Sequence, residues 1–265
     1  MIISGQTKCC PIIGHPVAHV FTPPVINAWF EMQQIDAVMF AMDISSSGAK
    51  EFFKMLRNWE NLAGCSITYP YKQLAFELVD EATERATRLG VVNTIRREND
   101  GCLVGDMTDG VAMVTAIREK NFPLEGKTAQ VVGAGGGAGR AIVDALCGAG
   151  VSRIVLQESD GQRADEIEAL VQFNFAEVSI DNTAGFDIDV YINATSLGMK
   201  PDDALPLKCE DISAGRVYGD VVTRPVMTPM LQLADQCGAM IISGADMGQA
   251  QVELQMAHIG FASIP

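Results

Sequence analysis

The sequence is poor in basic residues and poorer still in histidine. It holds 19 Lys and Arg against 33 Asp and Glu, a net charge of −14, and only three histidines. An acidic surface repels phosphate, which argues against nucleic acid or an anionic membrane as partner. The seven cysteines form no C-x-x-C pair, and His15, His19 and His258 are not spaced as zinc ligands, so no metal is expected. Scattered thiols in odd number suit a reducing compartment, and we expect a cytoplasmic protein. No basic leader precedes an apolar stretch at the N-terminus, and no apolar run approaches the ~18 residues of a membrane span. Low-complexity tracts and internal repeats are also lacking. With 48% hydrophobic and 20% charged residues the 265-residue chain is globular, and its length allows one or two domains.

What is present is an alternation of strand-like and helix-like segments from end to end, the pattern of an α/β architecture with parallel sheets. Strands are expected at residues 8–14, 37–44 and 62–68, a hairpin over 91–104 turned by Asn99-Asp100-Gly101, and helices after Pro23-Pro24, over 48–59, from Pro70 to Val79 and over 81–89. A second block has helices at 108–120, 138–149, 161–172, 229–237 and 245–259, with strands at 128–132, 152–157, 176–180, 188–192 and 239–242. Two α/β domains follow, with a boundary near Asp109-Gly110.

The apolar strand at 128–132 runs directly into Gly133-Ala134-Gly135-Gly136-Gly137-Ala138-Gly139. Gly133, Gly135 and Ala138 fit the G-x-G-x-x-G/A fingerprint. The first glycine permits a tight turn, the second lets backbone amides approach a pyrophosphate, and Ala138 allows close helix packing. Strand, loop, helix and second strand together point to a dinucleotide site; the bland alternative is a tight turn. Glu158 sits just past the next strand, 20 residues after Ala138. A carboxylate there accepts hydrogen bonds from ribose hydroxyls and repels a 2′-phosphate, so NAD is favoured over NADP. The alternative is a solvated loop acid.

For acid–base chemistry the candidates are Lys and Asp near strand ends. Each also has an ordinary reading: Lys72 as a surface lysine, Asp109 as a helix N-cap, Asn93 as a turn former.

In chain order, the motifs are G-x-P-x-x-H at Gly14 to His19 followed by Thr22-Pro23, T-x-P-x-K at Thr68 to Lys72, and N-T at Asn93-Thr94. There follow G-D-x-T-D-G at 105–110, G-A-G-G-x-x-G-R at 133–140, N-A-T-S-L-G-M at 193–199, D-V-V-x-x-P-x-x-T-P at 220–229 and G-x-x-M-x-x-x-Q at Gly244 to Gln251. In this set and order the chain resembles the shikimate dehydrogenase family over nearly its whole length. The resemblance implies an N-terminal α/β substrate domain (1–109), a Rossmann dinucleotide-binding domain (110–240) and a C-terminal helix (241–265) returning to the first. It implies hydride exchange between the nucleotide and a secondary hydroxyl of a shikimate-like cyclic hydroxy acid, with Lys72 and Asp109 as the catalytic pair. Thr22, Thr68, Asn93 and Gln251 would hold the substrate. Gly133, Gly135, Gly136, Gly137, Ala138, Glu158, Asn193, Thr195, Met199, Val222 and Met247 would hold the cofactor. A monomer or homodimer is expected.

The departures from the family pattern are specific. Where the family has H-S-x-S-P, with two serine hydroxyls on the substrate carboxylate, this chain has His19-Val20-Phe21-Thr22-Pro23, so one hydroxyl remains. Thr223 replaces the usual tyrosine beside Arg224, Gly248 replaces a leucine after Met247, and Gln157-Glu158-Ser159 stands where an N-R-T pattern for NADP is usual. Losing one hydrogen bond to a charged group costs about 1.5–3 kcal/mol. Shikimate itself is therefore not expected to be the best substrate; quinate, an amino-substituted shikimate or another cyclic hydroxy acid stay open, as does an alternative reading as an NAD-binding regulatory or non-catalytic homologue.

Overall fold

A computed structural model describes residues 2–18, 20–182 and 187–261. The chain divides into two compact units: residues up to Thr108 together with those from Gln251 onward, and Asp109–Ala250.

Pro11, which has no N–H to give to a ladder, splits the expected first strand into β1 (Lys8–Cys9) and β2 (Ile12–Gly14). Helix α1 (Thr22–Met32) follows, and the second expected strand is likewise two, β3 (Ala37–Val38) and β4 (Ala41–Asp43). Then come α2 (Ser46–Met55), β5 (Gly64–Ile67) and α3 (Lys72–Leu78). The segment 81–89, expected as one helix, is β6 (Glu81–Ala82) and α4 (Glu84–Leu89), with Thr83 capping the helix by accepting from Ala86 N. The hairpin is present as β7 (Thr94–Arg97) and β8 (Leu103–Asp106). These strands make a sheet in the order β4-β2-β5-β7-β8-β6, with β1 and β3 paired separately. The sheet is parallel except where the hairpin enters, at β5–β7 and β7–β8.

The second unit begins with α5 (Asp109–Glu119), β9 (Thr128–Val132), α6 (Gly137–Gly148), β10 (Arg153–Gln157), α7 (Gly161–Asn174), β11 (Ser179–Asp181) and β12 (Val190–Asn193). It continues with β13 (Val217–Asp220), α8 (Pro229–Gln236), β14 (Met240–Ile242) and α9 (Gly244–Ile259). Its six strands are all parallel in the order β11-β10-β9-β12-β13-β14. Numbered within the unit this is 3-2-1-4-5-6, the Rossmann order, which reverses direction between β9 and β12. The central strands are buried on both faces, as parallel strands covered by helices must be. Helices α5 and α6 cross at Gly110, where a Cβ would fall 1.9 Å from Ala141 O.

The expected C-terminal segment 241–265 is divided. Strand β14 pairs with β13 in the second sheet, and α9 belongs to the second unit up to Ala250 and to the first from Gln251. The later half of α9 covers a core cluster of Cys10, Ile26, Trp29, Phe30, Met39, Val252, Met256 and Ile259. Burying each large side chain contributes roughly 1.5–3 kcal/mol.

Candidate active site

In the first unit the polar candidates gather where parallel strands β2 and β5 end. Thr68 extends the β5 ladder by one residue, its N–H donating to Ile13 O at 2.9 Å, and its carbonyl closes the next turn by accepting from Tyr71 N. Gly14 is required alongside: a Cβ there would lie 2.4 Å from Thr68 Cγ2. Lys72 is the first residue of α3 and half-buried, and its carbonyl accepts from Val92 N at 2.9 Å, one residue before Asn93. Thr68, Lys72 and Asn93 are thereby tied to one sheet edge.

Asn93 is not a turn former. It is buried, and its Oδ1 accepts from Thr108 N at 3.0 Å and from Thr94 Oγ1 at 3.1 Å, while Nδ2 donates to Thr108 Oγ1 at 3.1 Å. Its backbone bridges two strands, N–H to Asp106 O and carbonyl from Ile67 N. Thr22 is half-buried at the start of α1, followed by Pro23 at the position where a missing N–H costs nothing. Gln251 is half-buried on α9. His19 lies outside the described residues.

Asp106, which the sequence offered only as a motif letter, anchors this edge. Its buried carboxylate accepts from Arg85 Nε at 2.7 Å and from Arg85 Nη2, from Thr83 Oγ1 at 2.6 Å and from Met107 N at 2.8 Å. Burial pushes its pKa up, but the Arg85 and Thr83 hydrogen bonds outweigh that and hold it below the ordinary value.

In the second unit, Gly133 adopts a positive φ of 78° and donates to Gln157 O at 2.7 Å, which turns the chain out of β9. A Cβ at Gly133 would meet Thr195 Cγ2 at 2.7 Å. The close packing expected at Ala138 is carried by Gly139 instead: a Cβ on Gly139 would lie 2.0 Å from Gly133 O, whereas Ala138 is half-buried. The sequence signal was Gly139, one place after Ala138. Gly136 caps α6 without a side chain, so the helix start presents backbone amides.

Glu158 reaches back into the glycine loop. Its Oε2 accepts from Gly135 N at 3.0 Å, and its Oε1 from Ser159 N at 2.8 Å and Asp160 N at 3.1 Å. Partial burial works to raise its pKa, but these amides and nearby Arg163 bring it below the ordinary value. It is therefore an engaged carboxylate rather than a solvated loop acid.

Asn193 ends β12 and is buried; its Oδ1 accepts from Thr195 Oγ1 at 2.6 Å and from Thr195 N at 3.1 Å. Thr195 Oγ1 in turn accepts from Leu197 N, and Met199 further along is exposed. Val222 donates its N–H to the buried Asp220 at 2.9 Å. Its carbonyl lies 2.4 Å from where a Cβ on Gly244 would be, so α9 starts against Val222, with Met247 buried one turn later. Asp109 opens α5 and is buried. Asp220 was visible only as a motif letter, because its role depends on Asn193, 27 residues away.

A parallel sheet in Rossmann order with a glycine loop and an engaged acid after its second strand, joined to an α/β unit with a polar strand edge, defines a two-domain pyridine-nucleotide oxidoreductase. The comparisons with known proteins narrow this. Residues 12–95 match the model of the shikimate dehydrogenase substrate binding domain. A shikimate dehydrogenase (NADP(+)) of Citrifermentans bemidjiense is 32% identical over 262 residues, covering 96% of this chain and 90% of that protein. The structure is similar to that of a Thermus thermophilus shikimate 5-dehydrogenase in complex with NADP(H) and shikimate, with TM-score 0.82, 27% identity, and 96% and 94% of the two chains covered. It is also similar to a quinate dehydrogenase of Corynebacterium glutamicum in complex with NAD, with TM-score 0.85, 25% identity, and 97% and 94% covered. The chain belongs to the shikimate dehydrogenase family.

Proposed function

We propose that this protein interconverts a secondary hydroxyl and a ketone on a shikimate-like cyclic hydroxy acid, using a nicotinamide dinucleotide, with Lys72 and Asp109 as its acid–base pair. The observation that carries the reading is the tying of Thr68, Lys72 and Asn93 to one sheet edge by the β5 ladder and the Val92–Lys72 bond. Oxidising an alcohol removes the hydroxyl proton as hydride leaves carbon. Lys72 Nζ, in its neutral form, takes that proton, and a carboxylate at Asp109 steadies the ammonium that results. Such a relay contributes ~100- to 10,000-fold in rate. Thr68, Asn93, Gln251 and Thr22 would bind the ring; Val20 and Thr223 motivate ring acids besides shikimate. In this reading the first unit receives the substrate and the second the nucleotide.

The second unit fits the nucleotide. A Cβ at Gly133 or Gly135 would collide with Thr195 Cγ2 (2.7 Å) or Arg163 Cβ (2.5 Å), so only glycine lets this loop close, and α6 starts from the same loop with no capping side chain over its amides. Bound nucleotide would supply the hydride acceptor. What supports a preference for NAD is the Glu158 carboxylate, fixed on Gly135 where a 2′-phosphate would be repelled. The NADP(+) of the named relative speaks for the other nucleotide. Burial pushes the Cys10 and Cys147 thiols up to about 12, which makes these two poor nucleophiles.

The test is a nicotinamide absorbance assay of the purified protein with shikimate, quinate and an aminoshikimate, each with NAD and with NADP. Turnover of a ring acid supports the activity, and the better nucleotide decides the role of Glu158. No turnover with any of them, nucleotide binding being intact, would overturn the proposal.

A further inference from the structure

Helix α9 runs along β5 in a register set at two points. A Cβ at Gly64 would lie 3.0 Å and 3.1 Å from the Ile259 side chain, so Ile259 covers Gly64. Two residues on along the strand and four back along the helix, Ser66 Oγ donates to Gln255 Oε1 at 2.8 Å. Four helical residues rise ~6.0 Å and two strand residues ~6.6 Å, so the two repeats keep step over a short distance. One more step of the same register would set Gln251 against Thr68. The ladder itself continues, since Ser66 N–H donates to Pro11 O and Thr68 N–H to Ile13 O.

We propose that Ser66 and Gln255 are a positioning pair that sets the register of α9, bringing Gln251 and Thr68 to the substrate ring together. This rests on the substrate roles given to those two residues in the proposed function. Neither Ser66 nor Gln255 is exposed enough to meet solvent, at 1% and 4%. Apolar packing such as that of Val252 and Met256 is non-directional and tolerates small slides. A buried hydrogen bond does not: a slip of one helical residue breaks it and strands two polar groups, at more cost than the bond contributes. Three further polar ties of α9, Trp29 Nε1 to Glu253, His258 to Val104 O and Arg96 Nη1 to His258 O, run to α1, β8 and β7.

The experiment uses the full chain with Ser66→Ala, Gln255→Met and the double variant. Melting temperature is read beside KM and kcat for the ring acid the wild type turns over, at saturating nucleotide. Each single variant should lose stability, and the double should recover most of it because no buried partner is left alone. The double should nonetheless keep a KM raised about tenfold, near 1.4 kcal/mol, with kcat within about twofold. Ser66→Thr, which keeps the hydroxyl, should retain the wild-type KM. If the truncations do not fold, Ser66→Cys, a weak donor of similar size, must still raise KM. A double variant with wild-type KM, or an unmoved KM in Ser66→Cys, overturns the positioning role alone. A wild type silent on every ring acid removes the proposed function and this role with it.

Discussion

Asn193 and Asp220 stand opposite each other at the ends of adjacent parallel strands, and Asn193 Nδ2 donates to Asp220 Oδ1 across 3.1 Å. Each then holds its own loop. Asn193 Oδ1 organises Thr195, while Asp220 accepts from Val222 N and from Thr228 Oγ1 at 2.8 Å. Two loops that the family resemblance sets beside the nucleotide are thus braced by one buried pair.

Asp220 gives the protein a pH dependence of unusual sign. Burial pushes its carboxyl up to about 6, and the hydrogen bonds from Val222, Thr228 and Asn193 only partly offset this. Below its ordinary value of 3.8 both folded and unfolded chains hold the proton, and above about 6 the folded chain must bury a charge. Its contribution to stability is therefore full below 3.8 and lost as pH rises through 6. Asp220→Asn should be more stable than wild type above pH 6, by on the order of 2–3 kcal/mol, with the gap closing toward pH 4. Urea midpoints on both sides of pH 6 decide it; an unchanged gap would show that Asp220 does not titrate there.

Lys72→Ala and Asp109→Asn should each lower kcat by ~100- to 10,000-fold, and the double variant by little more, as the proposed relay of the two requires. Nucleotide affinity, followed by fluorescence titration, should be kept in all three. Its loss together with turnover would make Lys72 a structural residue.

Gly139→Ala places a methyl 2.0 Å from Gly133 O and 3.0 Å from Ala134 C, neither of which can step aside without opening the loop. A destabilisation of about 3 kcal/mol is expected, with weakened nucleotide binding. Gly136→Ala is the control, since its φ of −69° suits any residue and its nearest neighbour is 3.4 Å away. Equal melting temperatures for the two variants would contradict the close approach.

Glu158→Ala removes the carboxylate that rests on Gly135, and kcat/KM for NADP relative to NAD should rise by about tenfold or more. A ratio that does not move would leave selectivity to other residues.

Where local chemistry and tertiary packing agree, the sequence is a good guide. Residues 128–132 and the glycine loop read correctly because strand, turn and helix each carry their own signal. Residues 217–220 do not: Val-Tyr-Gly-Asp is too short and too mixed to show a period, yet it forms an interior strand because β12 and β14 flank it. Glu81 and Ala82 have helical propensity but pair with β8, so tertiary hydrogen bonds override preference. In the site, Lys72, Asn93, Asp106 and Asp220 were all visible as motif letters, but the roles of Asp106, Asp220 and Gln255 depend on partners 21 to 189 residues distant. No local window contains such a pair.

The division of the chain has a consequence for its synthesis. The second unit is one continuous stretch, Asp109–Ala250, and has all its strands once that stretch is made. The first unit is begun earlier, but Val252, Met256 and Ile259, which complete its core, are made after every residue of the second. On the ribosome the part begun first is the part finished last, and until α9 emerges its apolar face waits uncovered, the stage at which a chaperone has most to hold.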